Sequence, residues 1–124
     1  MGRKKRRQPN SRQQSSSLSM NIEDKLQQAI SLYQSGQLQQ AEKTCQQILG
    51  KYPQHAGAFH LLGIIAYQIG DYRIATGLIT QAIKIDSNQC VFFNSLGSAL
   101  QEQGRLEESV EAYQRAIEIQ PQFA

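Results

Sequence analysis

The sequence predicts an all-α protein built from three helix–turn–helix units. The first observation behind this prediction is a glycine that recurs at one fixed interval, at Gly36, Gly70 and Gly104. The second is that apolar residues within each unit follow the three- and four-residue steps of a helix rather than the alternation of a strand. The three units occupy residues 22–55, 56–89 and 90–123.

Each unit is predicted to contain two helices that lie close together. A small residue at the eighth position lets the second helix approach the first; the three residues there are Ala29, Gly63 and Gly97. The recurring glycine ends the first helix, because a left-handed conformation costs glycine little. Pro53 and Pro121 stop the second helix, since proline lacks an N–H donor. In the second unit, Asp86 and its neighbours supply turn and capping groups instead.

The charge is divided unevenly between a tail and the repeats. The chain of 124 residues has a net charge of +3, yet residues 1–20 carry +6 and the remainder carries −3. The tail is rich in serine and glutamine, so we expect it to be disordered. Its basic cluster resembles arginine-rich RNA-binding and nuclear-import peptides and consists of Arg3, Lys4, Lys5, Arg6 and Arg7. Nucleic acid is therefore expected as a partner only through this tail, and the alternative is a solvated segment without a ligand.

Composition also bears on the compartment. No apolar run in the sequence is long enough to span a membrane, so no membrane partner is expected. Two cysteines, Cys45 and Cys90, cannot form a disulfide framework, which favours a reducing compartment. The prediction is a cytoplasmic protein.

Candidate chemical groups are sparse and scattered. His55 and His60 lie five residues apart, off one helical face, and neither cysteine has a second cysteine at zinc-binding spacing. The acidic run before Arg115 is typical of a solvated helix face, with Glu111 four residues earlier as its ion-pair partner. We therefore predict no metal, no cofactor and no catalytic site, and the chain is not expected to be an enzyme.

The aligned columns resemble the tetratricopeptide repeat family. The residues that carry the resemblance are Phe59 and Phe93, Leu62-Gly63 and Leu96-Gly97, Tyr113, Ala82 and Ala116, and Pro53 and Pro121. The resemblance implies a right-handed superhelical solenoid with a concave groove lined mainly by the first helices. Lys25 departs from the family's aromatic residue at its position, which suits a terminal repeat that has no preceding neighbour.

By this resemblance, the second, fifth, ninth and twelfth positions of each unit line a groove that binds a protein or peptide. The candidate groove residues are Leu26, Ile30, Tyr33, His60, Ile64, Tyr67, Asn94, Ser98 and Gln101. Apolar side chains replace the Lys, Arg and Asn of the family's carboxylate clamp, so an apolar or helical segment is expected. Tyr33 and Tyr67 are expected to stack one repeat apart. The alternative is that some of these residues only pack between adjacent first helices.

The third unit is predicted to leave an exposed apolar edge at Val110, Tyr113 and Ile117. The closing residues from Pro121 onward match the junction that begins at Pro53 and opens the second unit. We therefore expect either a further repeat in a longer protein or self-association through this edge.

A second functional interpretation rests on resemblance alone. The segments His-Leu-Leu-Gly-Ile-Ile-Ala and Asn-Ser-Leu-Gly-Ser-Ala-Leu resemble the N-terminal repeats of bacterial protein O-GlcNAc-transferase-like glycosyltransferases. In that family the repeats select the protein substrate, and a C-terminal domain binds the sugar nucleotide. The alternative function is therefore the substrate-recognising region of a larger enzyme whose reading frame continues past Ala124.

Overall fold

The computed structural model describes residues 22–121, and these residues form six helices without a strand. The helices are α1 (22–34), α2 (Leu38–Lys51), α3 (Ala56–Gln68), α4 (Tyr72–Ile85), α5 (Cys90–Glu102) and α6 (Leu106–Ile119). From α2 to α6 each helix packs chiefly on the next along the chain, and α3 also contacts α5. The predicted all-α solenoid of three helical pairs is confirmed.

Glycine ends the first helix of every pair in the predicted conformation. Gly36, Gly70 and Gly104 have φ angles of 84°, 88° and 76°, which an L side chain rarely adopts. The second helices end before the proline positions: α2 ends at Lys51 and α6 at Ile119. After α4 the Asp86 carboxylate accepts a hydrogen bond of 3.1 Å from the backbone N–H of Asn88, as the turn chemistry predicts.

The helices of the second and third pairs meet at the predicted small residues. A Cβ added at Gly63 would lie 2.6 Å from Cγ1 of Ile79, so α4 could not keep its position against a larger residue. At the equivalent place in the third pair, the Ser109 hydroxyl donates a 2.8 Å hydrogen bond to the carbonyl of Gly97. The absence of a Cβ thus sets the distance between paired helices.

The core consists of two clusters along the solenoid. The first is centred on Cys45, Ile48 and Leu61, and the second on Ala75 and Ile79. Cys45 is fully buried. Burial, followed by the nearby Glu42 carboxylate, raises the pKa of the Cys45 thiol to about 11. The thiol is therefore a protonated core group rather than a nucleophile.

One predicted surface pair is wrong. Arg115 pairs with Glu118 at 3.1 Å, one helical turn further along, rather than with Glu111. Its guanidinium also lies 5.8 Å from the ring centroid of Phe93. Arg115 and Glu118 are both exposed, so the pair contributes little to stability.

Candidate functional site: a pocket on the first helices

A pocket of about 250 Å³ opens on the surface formed by the first helices. Its lining residues come from α1, α3 and α5, with one residue of α4 beneath them: Tyr33, Ile64, Tyr67, Gln68, Ile79, Ser95 and Ser98. All three repeats therefore contribute to one concavity.

Helical spacing explains how these side chains converge. Ile64, Tyr67 and Gln68 are separated by three and four residues, so they lie on one face of α3. Ser95 and Ser98 share a face of α5 for the same reason, and their small side chains leave space opposite α3. Ile79 reaches the base of the pocket because Gly63 allows α4 to approach α3.

The two predicted groove tyrosines line the pocket, but their predicted stacking is wrong. The Tyr67 ring packs edge-on against Tyr72 of the following helix, with ring centroids 5.2 Å apart. Tyr33 is half-buried and packs on the first core cluster. Desolvation, followed by the Glu102 carboxylate, raises the pKa of the Tyr67 phenol. The phenol is thus neutral at physiological pH and offers both a hydrogen-bond donor and an acceptor.

His60, predicted in the groove, lies between the first helices of the second and third repeats. Its Nε2 is 2.8 Å from the Ser95 hydroxyl, and its ring centroid lies 4.6 Å from that of Phe92. Burial lowers the pKa of His60 to about 4, so the imidazole is neutral. The alternative considered for some groove positions, packing between adjacent first helices, therefore describes His60.

Tyr113, predicted on the exposed edge, is half-buried and points back toward α5. Its phenol oxygen lies 3.0 Å from the Ser98 hydroxyl and 3.3 Å from Oε1 of Gln101. One arrangement satisfies both contacts: Ser98 donates to the phenol oxygen, and the phenol donates to Gln101. The edge assignment of Tyr113 is wrong because Gly97 leaves a slot that the ring fills.

The remaining groove candidates lie elsewhere. Leu26 and Ile30 are half-buried and pack against the first core cluster, and Asn94 is half-buried on α5 outside the pocket lining. The pocket therefore includes four predicted residues, Tyr33, Ile64, Tyr67 and Ser98. It also includes three that the prediction missed, Gln68, Ser95 and Ile79. Spacing could have identified two of them, since Gln68 follows Ile64 by four residues and Ser95 precedes Ser98 by three.

Val110 and Ile117 are exposed, at 53% and 46%, and Leu106 on the same face of α6 is 60% exposed. The positions equivalent to Leu106 and Ile117 in the earlier repeats are less exposed. Leu38 and Leu49 in α2, and Ile83 in α4, are half-buried against the core clusters. In the described part of the chain, the last second helix thus retains an uncovered apolar face.

Within residues 22–121, no group of three or more His, Cys, Asp or Glu side chains is arranged to hold a metal ion. Among the helices of this same range, none has the length and apolar character to cross a bilayer. Cys45 and Cys90 are both free thiols and buried. The basic cluster from Arg3 to Arg7 lies outside the described residues.

Family models match nearly all of the helical region. Residues 26–89 and residues 91–123 each match a model described as tetratricopeptide repeat. Among curated proteins, human tetratricopeptide repeat protein 7B is 27% identical over 85 residues, which cover 68% of this chain and 10% of that protein. The chain therefore spans about a tenth of the length of that relative.

Solved structures show the same architecture. An O-GlcNAc transferase from Thermobaculum terrenum superposes with a TM-score of 0.80 at 27% identity, covering 83% of this chain and 20% of that one. The type III secretion chaperone SycD from Yersinia enterocolitica, solved with a peptide of the translocator YopD, superposes with a TM-score of 0.76 at 24% identity. That match covers 83% of this chain and 81% of the chaperone.

Proposed function

The chain belongs to the tetratricopeptide repeat family, and from this premise we propose that it is a protein-interaction module that binds a segment of a partner protein in the pocket on α1, α3 and α5. The observation that carries the proposal is the convergence of all three repeats on one concavity. No catalytic step in this chain is part of the proposal. Its buried free thiols suit the reducing cytoplasm, where we propose that it acts.

The size and lining of the pocket indicate what it accepts. Its volume, about 250 Å³, is below the usual range for small-molecule sites, and it suits one anchoring side chain better than a cofactor. Ile64 and the ring faces of Tyr33 and Tyr67 supply apolar contact, while Ser95, Ser98 and Gln68 supply hydrogen-bonding groups. We propose an apolar or aromatic anchor whose flanking backbone bonds to these polar groups.

Charge argues against recognition of a terminal carboxylate. The pocket lining contains no Lys or Arg, so a carboxylate placed there would be desolvated without a cationic partner. An internal segment of a partner avoids this cost. The Yersinia chaperone, which was solved in complex with a peptide of its translocator, supports peptide binding as the general mode.

The direct test is selection of peptides from a random phage-displayed library on the whole chain. We expect enriched peptides to share a large apolar or aromatic residue, and their affinity to fall about tenfold or more in Tyr67→Ser. Tyr52→Ser is the matched control, because Tyr52 is 42% exposed and lies outside the pocket. Peptides that bind both variants equally well would refute the pocket as the site.

A second candidate function is the substrate-selecting repeat region of an O-GlcNAc-transferase-like glycosyltransferase. The likeness to the Thermobaculum transferase favours it, since that match is both close in structure and 27% identical. Both functions use the pocket on the first helices. They differ in whether the same polypeptide also carries a glycosyltransferase domain. Sequencing of the transcript beyond the codon for Ala124 tests this candidate, which requires a sugar-nucleotide-binding domain in the same reading frame.

We also propose that the uncovered face of α6 mediates self-association. Its support is the exposed apolar stripe of Leu106, Val110 and Ile117. A two-fold pairing of this face with itself would bury the stripe on both copies. The first helix offers no matching apolar surface for head-to-tail stacking. The α1 residues that stand 34 positions before three buried apolar residues of α3 are polar and exposed: Asp24, Gln27 and Ser31.

A further inference from the structure

A second groove lies between the second helices α4 and α6, with α5 as its floor. Its volume is about 510 Å³, and it shares no lining residue with the pocket on the first helices. Leu96 and Leu100 of α5 form the apolar part of its lining. The proposed function gives this groove no role.

The groove is positively charged although the helical region as a whole is acidic. Its lining contains Arg73, Lys84 and Arg105 but only one acid, Glu108. Arg105 is already occupied, because it donates hydrogen bonds of 2.9 and 2.8 Å to the two Glu108 oxygens. Arg73 and Lys84 form no ion pair with any residue in the described range. Two exposed cations are thus left unpaired along the α4 side of the groove.

The two cations stand at the ends of one stripe on α4. Arg73, Gly77, Thr80 and Lys84 are spaced by four, three and four residues, so they lie on one helical face. The rise per residue separates Arg73 from Lys84 by about 16 Å along the helix axis. Gly77 and Thr80 stand between them on this stripe, and Thr76 and Gln81 of α4 also line the groove, so no charged side chain of α4 lies between the two cations.

Gly77 is not explained by packing. It lies in the interior of α4, where glycine destabilises a helix relative to alanine. Its φ is not positive, and a Cβ added there would meet no atom within 4 Å. Gly63 and Gly97, in contrast, are required by the helices packed on them. The consequence of glycine at residue 77 is an open groove.

We propose that this groove binds an extended acidic segment of a partner protein. One carboxylate pairs with Arg73 and another with Lys84, and an apolar side chain between them contacts Leu96 and Leu100. In an extended chain, alternate residues lie on the same side, about 7 Å apart. The pattern Glu-x-Leu-x-Glu therefore places its carboxylates about 14 Å apart, within reach of the two long basic side chains. Two cations over an apolar floor suit such a peptide better than a nucleic acid, which needs a longer run of phosphate contacts.

The probe is a fluorescein-labelled heptapeptide, Ser-Glu-Ser-Leu-Ser-Glu-Ser, titrated with the whole chain at low salt and followed by anisotropy. We expect saturable binding that weakens about threefold to fivefold in Arg73→Gln and in Lys84→Gln. Lys43→Gln is the matched control, since it removes an exposed charge of α2 outside the groove. The basic tail is present in every variant, so differences among them report on the groove.

Two glycine-to-leucine substitutions distinguish binding in the groove from general electrostatic attraction. Gly77→Leu fills the groove and should abolish binding, whereas Gly50→Leu adds the same side chain to α2, also in open space, and should leave it unchanged. Binding that is as tight in Gly77→Leu as in the wild type, or that does not weaken in Arg73→Gln, would overturn the proposal. The proposal would also be overturned if an oligothymidylate of ten nucleotides bound as tightly as the peptide and Lys84→Gln weakened its binding. Tyr67→Ser should not affect the peptide, so this result is independent of the proposed function.

Discussion

The ring of Tyr113 lies against the backbone of Gly97, so closely that a Cβ at residue 97 would be 2.8 Å from two ring carbons. The phenol then reaches the Ser98 hydroxyl and the Gln101 side chain, which also belong to α5. A glycine on one helix and an aromatic residue on its partner thus hold the third pair together. The same contact positions Ser98, which lines the pocket on the first helices.

Gly97→Ala should destabilise the chain by about 1–3 kcal/mol, although alanine favours helices, because the rigid ring of Tyr113 must move. Gly77→Ala is the matched control, since its Cβ meets nothing. That substitution should raise the free energy of unfolding by up to about 1 kcal/mol. Urea denaturation of both variants measures the difference. A neutral or stabilising effect of Gly97→Ala would contradict the close contact between the Tyr113 ring and residue 97.

His60 makes stability depend on pH. Because burial lowers its pKa from 6.5 to about 4, unfolding takes up a proton between these values. The free energy of unfolding should therefore fall as the pH falls through this range, with a loss of about 2 kcal/mol by about pH 5. Denaturant titrations at neutral pH and near pH 5 should show this loss in the wild type and a smaller one in His60→Gln. An equal loss in the variant would assign the pH dependence to other groups.

The uncovered face of α6 predicts association that depends on concentration. Light scattering over a concentration series should give a mass above that of a single chain, because an exposed apolar stripe favours self-association. The mass should return to the monomer value in a Val110→Gln, Ile117→Gln double variant. Ile69→Gln is the control, because Ile69 is 66% exposed but lies outside α6. A wild-type monomer at every concentration would rule out self-association.

The two thiols should be protected in the folded state. Cys45 and Cys90 are buried, and the raised pKa of Cys45 keeps it protonated. An aromatic disulfide reagent at mildly alkaline pH should label neither thiol rapidly in the native chain and both once urea unfolds it. Immediate labelling of a thiol in the native chain would contradict its burial.

The repeat pattern is sufficient to predict the fold but only part of the pocket. The backbone conformation requires glycine at the ends of the first helices, and close helix packing requires small residues between the paired helices. These residues therefore recur at the same position of each repeat and can be recognised from the sequence. The sequence leaves open whether His60 faces the groove or packs between first helices, and it misplaces Tyr113 on the exposed edge. Both environments depend on residues of another helix: Ser95 and Phe92 contact His60, and the Tyr113 ring fills the slot at Gly97. The sequence does not predict the groove between α4 and α6. Arg73 and Lys84 line a groove only because α6 lies beside α4 in the fold.

The proposed function requires that a partner segment bind in the pocket on α1, α3 and α5. It is tested most directly by nuclear magnetic resonance of the isotope-labelled chain titrated with a library-selected peptide. We expect the largest amide shift changes to cluster at Tyr33, Ile64, Tyr67 and Ser98. Changes confined to the groove beside Gly77, or to the face of α6 around Val110, with these four amides unmoved, would contradict it.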